Sequence, residues 1–174
     1  MTKRAAGKFE RRPRDFYPTP FSAVIPLLHH LPKGVRFHEP CVGDFALANH
    51  LMAVGHRLGG YGDIERGQDA LELTACDGDC FITNPPWSRA VLHPLIERLR
   101  ALAPTWLLFD ADWSFTHQAR PHLRYCAKIV SVGRVSWMGN GVSGFDNCAW
   151  FLFDRSPVDA PSFYPQIDRA EPVA

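Results

Sequence analysis

The sequence predicts an α/β protein built on an open sheet, with a ligand site where its strands end. Three observations carry that expectation. Asp79-Cys80-Phe81-Ile82-Thr83 is an apolar run the size of a buried strand, and it stops at Asn84-Pro85-Pro86-Trp87, where two prolines cannot continue a central strand. Upstream, a strand-like stretch over 35–40, a turn holding Gly43 and a helix-compatible stretch over 46–54 make a strand–turn–helix unit of the kind that binds nucleotides. Further apolar runs alternate with amphipathic ones along most of the chain. In such sheets ligands sit beyond the carboxyl ends of the strands, where Asn84 and Gly43 both fall.

The chain has 174 residues and a formal net charge of +1, which suits one domain and gives no global basic signature. The charge is uneven. Lys3, Arg4, Lys8, Arg11, Arg12 and Arg14 face only Glu10 over residues 1–14, which read as a flexible basic arm able to touch phosphates. The expected domain is 15–155, with an irregular, proline-rich tail over 156–174. The five cysteines are odd in number and form no Cys-x-x-Cys pair, so neither a disulfide framework nor a metal centre is expected. No apolar run reaches membrane-spanning length, and no signal-peptide core follows the basic arm; a cytoplasmic protein is the simplest expectation.

In order, the two prolines of Asp15-Phe16-Tyr17-Pro18-Thr19-Pro20 force an extended entry. Thr19 is a plausible N-cap and Pro20 suits the first turn of a helix over 21–31, which Pro26 can kink. A strand over 35–40 leads into the turn Glu39-Pro40-Cys41-Val42-Gly43-Asp44-Phe45-Ala46. Gly43 lets the backbone approach a ligand closely. Glu39 and Asp44 repel a diphosphate and attract a cation, and the fingerprint Gly-x-Gly-x-x-Gly is absent. The second strand spans 57–64 and ends at Asp63, about twenty residues past Gly43, where a carboxylate can accept ribose hydroxyls. Ile64 beside it can pack on a flat ring. Residues 79–83 form the strand that leads to Asn84. A helix over 88–102 presents Val91, Leu95, Leu99 and Leu102 on one face, with Ser88 as N-cap. A strand over 105–110 puts Asp110, Asp112 and Trp113 at the rim of the same site. A short helix or loop over 117–124, a strand over 127–135, a glycine-rich loop over 138–147 and a strand over 148–154 complete the domain.

The residue types after the strand at 79–83 suit one task. Asn84 offers a side-chain carbonyl, Pro85 a stiffly held main-chain carbonyl, and Trp87 a flat face. Two acceptors and a stacking plate can hold a planar aromatic amine by its NH2 group.

Asn-Pro-Pro-Trp resembles the catalytic tetrad of S-adenosylmethionine-dependent amino-methyltransferases, which act on adenine N6 or, less often, cytosine N4. The turn at 39–47 resembles the family's Glu-Pro-x-x-Gly-x-Gly-x-Leu, with Asp44-Phe45 in place of the second glycine region. Asp-Phe-Tyr-Pro-Thr-Pro resembles the Tyr-x-Thr-Pro segment that precedes the family's cofactor domain. Asp69-Ala70-Leu71 is similar to its Asp-Phe-Leu segment. The resemblance spans 15–154 and implies a class I methyltransferase fold. That fold is Rossmann-like, with a mostly parallel seven-stranded sheet, one antiparallel strand, and residues 79–83 as the fourth strand. It implies S-adenosyl-L-methionine held by Tyr17, Thr19, Pro20, Glu39, Pro40, Gly43, Asp63, Ile64, Asp69 and Asn84. Asp77 and Asp79 compete with Asp69 for the cofactor adenine. Catalysis would fall to Asn84, Pro85, Pro86 and Trp87, acting on an adenine flipped out of DNA.

A short chain without a recognition domain resembles compact phage- or prophage-borne adenine methyltransferases, working as a monomer or homodimer. Sequence readout would come from the basic arm, residues 117–124 and the 138–147 loop, with Arg134 and Asn140 as candidates. RNA adenine, a protein glutamine or a non-catalytic binding role are the alternatives. Pro40-Cys41 resembles the nucleophile dipeptide of cytosine-C5 enzymes, but it lies in the cofactor turn.

Overall fold

The computed structural model describes residues 18–137, 144 and 146–166. The basic arm, Tyr17, most of the 138–147 loop including Asn140, and the last residues of the tail lie outside them. A single seven-stranded sheet runs through the molecule in the order β2-β1-β3-β4-β6-β5-β7. Its strands are β1 (Arg36–Glu39), β2 (Arg57–Tyr61), β3 (Cys80–Thr83), β4 (Thr105–Asp110), β5 (Cys126–Arg134), β6 (Asn147–Phe153) and β7 (Ser162–Tyr164). Only β6 is antiparallel to its neighbours, β4 and β5. The expected mostly parallel sheet with one antiparallel strand is therefore present, and its architecture is the class I methyltransferase, Rossmann-like one.

Strand alternation explains the two-sided core. In β3 and β4, Ile82, Trp106 and Leu108 point to one face, and Phe81, Leu107 and Phe109 to the other. Every one of them is buried, as a central strand covered on both faces requires. On the first face lie α1 (Phe21–Leu28) and α2 (Ala46–Ala53), through Val24, Leu27, Leu47 and Leu51. Trp150 of β6 donates its indole N–H to the Ala23 carbonyl at 2.8 Å, tying α1 to the sheet. On the second face lies α3 (Arg89–Leu102), through Leu92, Leu95, Ile96 and Leu99. Leu95 and Leu99 were expected on that stripe; Val91 instead turns out of it, partly exposed.

Two differences from the sequence expectation have physical causes. The run at 79–83 supplies the third strand along the chain, not the fourth. The stretch before it folds as 3-10 turns, Ile64–Arg66 and Ala70–Glu72, in which Asp63 and Asp69 accept from the Glu65 and Leu71 amides. Short acidic side chains bonding the backbone two residues on compete with a strand there. The seventh strand comes from the stretch expected to be irregular: Ser162–Tyr164 pairs in parallel with Lys128–Val130 of β5. Three residues between Pro161 and Pro165 carry no periodicity of their own and become a strand only because β5 offers its edge.

The connection into β3 crosses tightly over β2. A Cβ built on Gly59 would lie 1.8 Å from the Asp77 carbonyl oxygen, so no side chain fits. Gly59→Ala is expected to destabilise the fold by about 3 kcal/mol or more, the upper range for overpacking; urea unfolding measures it. Among the described residues, no helix is long and apolar enough to cross a membrane.

Candidate active site

The sheet order changes direction between β1 and β3, since β1 continues to β2 on one side and β3 to β4 on the other. Ligands bind at such switch points. The turn after β1 is stitched to the end of β2: Gly62 N donates to the Glu39 carbonyl at 3.0 Å and Val42 N to the Gly62 carbonyl at 2.9 Å. Gly43 N donates to Asp63 Oδ2 at 2.9 Å, and Glu65 N to Asp63 Oδ1 at 2.8 Å. Asp63, two residues past β2, thus fixes the glycine turn as well as capping the 3-10 turn Ile64–Arg66. Gly43 has φ 54° and Phe45 φ 66°, so Phe45 takes the left-handed conformation that glycine would adopt more easily. That strain is on the order of 1–3 kcal/mol. It is offset by the ring's edge packing on Tyr61, 5.0 Å between centroids, and by the Arg66 guanidinium 5.2 Å from its centre. The turn keeps its left-handed bend without the second glycine.

A cavity of about 510 Å³ opens above this turn. Thr19, Glu39, Pro40, Gly43, Asp63, Ile64, Asp69, Asn84, Pro85 and Pro86 all line it. Of the residues implied by the resemblance, Tyr17 falls outside the described residues, and Pro20 borders neither this cavity nor the one beside it. Pro20 instead precedes the first residue of α1 without a side-chain cap. Thr19 is not the expected N-cap, because its hydroxyl is spent elsewhere, as described below. Asp77 and Asp79 are not on the cavity wall. Asp79 accepts from Arg36 N at 2.9 Å, and Asp77 donates its own amide to His38 Nδ1 at 3.1 Å.

The cavity offers a seat for a cationic group and apolar surface for a flat one. Glu39 is 2 % exposed, and its Oε2 has no hydrogen-bond partner. Burial pushes its carboxyl well above the usual range, with Asp44 and Asp63 adding to the rise and the Ala48 amide opposing it. A buried carboxylate with a free oxygen is a natural seat for a positive charge. Ile64, Leu71 and Val91 are partly or largely exposed side chains on the same lining, which also includes Asp69. Leu71 and Val91 were not foreseen there. Together these residues fit S-adenosylmethionine, whose amino and sulfonium groups are cationic and whose adenine is flat. Cys41 also lines this cavity, and burial pushes its thiol up to about 12, which leaves it protonated and unsuited to nucleophilic attack on a base.

Asn84 follows β3 directly and is half-buried. Its Oδ1 accepts from Trp87 Nε1 at 3.2 Å, and its Nδ2 donates to Thr19 Oγ1 at 3.1 Å. Indole N–H can only donate, so this contact fixes which way the amide faces. The carbonyl oxygen keeps a second lone pair for another donor. Trp87 therefore orients the amide as well as offering a ring.

A second cavity, about 310 Å³, lies beside the first. Asn84 and Ser88 line both. Its other walls include Trp87, Arg89, Phe109, Asp110, Trp113, Trp137 and Asp146. Trp87 and Trp137 meet edge to face, 5.6 Å between centroids. Trp113 is 1 % exposed and donates to His93 Nε2 at 3.0 Å. Burial, His122 and Arg89 hold His93 below its usual pKa, consistent with a neutral ring accepting at that nitrogen. Burial raises the Asp110 carboxyl, with the Asp112 and Asp146 charges adding to the rise and the Asp112 amide and Arg89 opposing it. Asp110 and Trp113 were expected on this rim. Phe109, Trp137 and Asp146 were not, because three separate segments converge here. Arg134 ends β5 at the same edge of the sheet, whereas Arg124 lies just before β5 begins, at the opposite edge. Among the described residues, no group of three or more His, Cys, Asp or Glu side chains could hold a metal ion.

No family model matches the chain, and no curated protein matches it in sequence. Solved structures do share its fold. PH1948 of Pyrococcus horikoshii, assigned as an RNA methyltransferase, superimposes with a TM-score of 0.60 at 12 % identity, over 80 % of this chain and 86 % of that one. The Listeria monocytogenes protein lmo1582, assigned as a class I S-adenosylmethionine-dependent methyltransferase, gives 0.57 at 9 % identity, over 87 % and 66 %. A dimethyladenosine transferase from Plasmodium falciparum gives 0.51 at 13 % identity, over 80 % and 62 %. These likenesses establish the class I methyltransferase fold.

Proposed function

We propose that the chain transfers a methyl group from S-adenosylmethionine to the exocyclic N6 amine of adenine in DNA. One observation carries the reading: Asn84, its amide fixed by Trp87 and Thr19, is shared by a cavity suited to the cofactor and a cavity walled by aromatic rings.

The residues have separable tasks. When bound, S-adenosylmethionine supplies an electrophilic methyl on a positively charged sulfur. Glu39 balances the cationic end, Asp63 takes the ribose hydroxyls, and Asp69 with Ile64 holds the adenine. In the smaller cavity the target base lies against Trp87 and Trp137. Its NH2 would reach the border with the larger cavity, donating to the Asn84 oxygen there and to the carbonyl of Pro85, which lines the larger cavity. Those two bonds favour a pyramidal nitrogen, whose lone pair would form the new bond to the methyl as the sulfur–methyl bond breaks; the sulfur would keep that electron pair and become neutral, and the nitrogen would shed one N–H proton to water. Positioning of this kind is worth about 7–11 kcal/mol in favourable cases. No side-chain nucleophile is needed, in keeping with the protonated Cys41. A base in a duplex must leave the stack to reach such a pocket.

The test is a tritium-transfer assay with DNA, RNA and protein substrates, followed by identification of the methylated base. Label in DNA as N6-methyladenine is the expected result. The RNA arm has specific motivation, because PH1948 is assigned as an RNA methyltransferase and the Plasmodium protein is a dimethyladenosine transferase. Absence of S-adenosylmethionine binding by calorimetry would overturn the reading at its root and leave a non-catalytic binding role.

A further inference from the structure

We propose that Phe115 is a wedge that enters the base stack of duplex DNA and occupies the gap left by the extruded base. The inference rests on the reading above and adds the form of the substrate: a stacked double helix rather than an unstacked strand.

Phe115 is 89 % exposed, the most exposed of the large apolar side chains described. Single exposed apolar residues are ordinary on protein surfaces. This one differs in where it stands and how firmly it is held. It ends the 3-10 turn Ala111–Phe115 that follows β4, the strand whose end supplies Phe109 and Asp110 to the smaller cavity. Trp113, two residues earlier, is part of the cavity wall. A 3-10 turn advances about 2 Å per residue with three residues per turn. Phe115 therefore stays within a few ångströms of Trp113 along the axis while projecting in a different direction. Trp113 points inward against Phe109 and Phe151, and the phenyl ring of Phe115 is left outside.

The segment carrying the ring is tied down on both sides. Asp112 N donates to Asp110 Oδ1 at 2.9 Å, and Ser114 Oγ to the Ala111 carbonyl at 2.8 Å. Thr116 donates both its hydroxyl, at 2.8 Å, and its amide, at 3.0 Å, to the Trp113 carbonyl. Indole and imidazole lock Trp113 from beneath. An aromatic ring on a braced turn is presented to a partner without a large loss of freedom on binding.

Cations able to meet a phosphate backbone stand around the ring. Arg89 stands on the cavity wall, Arg134 at the same sheet edge, and the exposed His117 and Arg120 follow Phe115 in the chain. Against them stand Asp112, the exposed acid within the turn, and Asp110 and Asp146 on the cavity wall beside Arg89. Apolar side chains that insert between base steps are a known means of opening a duplex, and flanking cations track its phosphates. A single strand leaves no such gap to fill.

The experiment compares tritium transfer to native and to heat-denatured unmethylated chromosomal DNA for the wild type, Phe115→Ala, Phe115→Trp and Phe163→Ala. Phe163 is an equally apolar exposed side chain on the edge strand β7 and serves as control. The native-to-denatured ratio is expected to fall about tenfold in Phe115→Ala, in line with the loss of one base–aromatic stack. It should stay within about threefold of wild type in Phe115→Trp, where a ring is retained, and be unchanged in Phe163→Ala. Calorimetry with S-adenosylmethionine reports that each variant is folded. An unchanged ratio in Phe115→Ala, or a wild type active only on denatured DNA, overturns the wedge and leaves the methyltransferase reading standing. A wild type that labels neither DNA overturns both.

Discussion

Asn84→Ala is expected to lower methyl transfer by a hundredfold or more while S-adenosylmethionine still binds within about threefold of the wild-type affinity. The size follows from what the amide does. Removing one preorganised hydrogen-bonding group at a reacting centre costs about 10²–10³ in rate where it has been measured. Here the loss is compounded, because Trp87 and Thr19 each lose the partner that orients them. In the proposed reading the cofactor's affinity is spread over Glu39, Asp63, Asp69 and the apolar lining, all on one cavity, so it should survive. Single-turnover transfer beside calorimetry separates the two effects. Equal losses in both would mean that residue 84 holds the cofactor and does not act on the substrate. Asn84→Asp is a useful companion: it keeps the acceptor for Trp87 but removes the donor for Thr19.

Glu39→Gln should act in opposite directions on stability and on binding. Burial holds the Glu39 carboxyl well above its usual range, so the free protein favours the neutral form. Such a group does not burden folding below its unfolded pKa, about 4.3 for glutamate. As pH rises from there, the unfolded chain loses its proton while the folded one keeps it, and stability falls until the raised folded pKa is reached. Glutamine removes that slope. The ligand-free variant should therefore gain stability over the wild type as pH rises from about 4 to neutrality, because glutamine has no charge to keep out of water. Thermal unfolding at several pH values reads the difference, at roughly 2–4 °C per kcal/mol for a chain of this size. The same substitution removes the charge proposed to face the cofactor. S-adenosylmethionine affinity should drop by at least about tenfold, since truncating one side of a buried charge pair costs about 2–5 kcal/mol. In the wild type that affinity should rise with pH as Glu39 ionises, and in the variant this rise should be lost. A pH-independent wild-type affinity would argue that Glu39 does not face the cation.

The parts of this molecule that were legible in the sequence are those set by local chemistry. The run 79–83 announces a strand because it is apolar throughout and ends at two prolines. Glu39, Gly43 and Asp63 announce a ligand turn because their types and spacing have few other uses, and all three line one cavity. Other parts depend on neighbours that no local pattern records. Ser162–Tyr164 needs the free edge of β5. The left-handed Phe45 needs Tyr61 and Arg66 around its ring. Thr19 reads as a helix cap until Asn84, sixty-five positions away, is seen to take its hydroxyl. Trp137 and Asp146 reach the smaller cavity only through the pairing of β6 with both β4 and β5. Val91 looked like core because leucine-rich periodicity does not say which edge of a helical stripe meets a cavity.

Asn84 and Ser88 stand on a border common to both chambers. Occupants that meet for direct transfer beside shared side chains can couple through them. Where seating one shifts those side chains, the affinity for the other changes, and reciprocity requires the factor to be the same in both directions. Donor and acceptor would then sense each other before any bond is made.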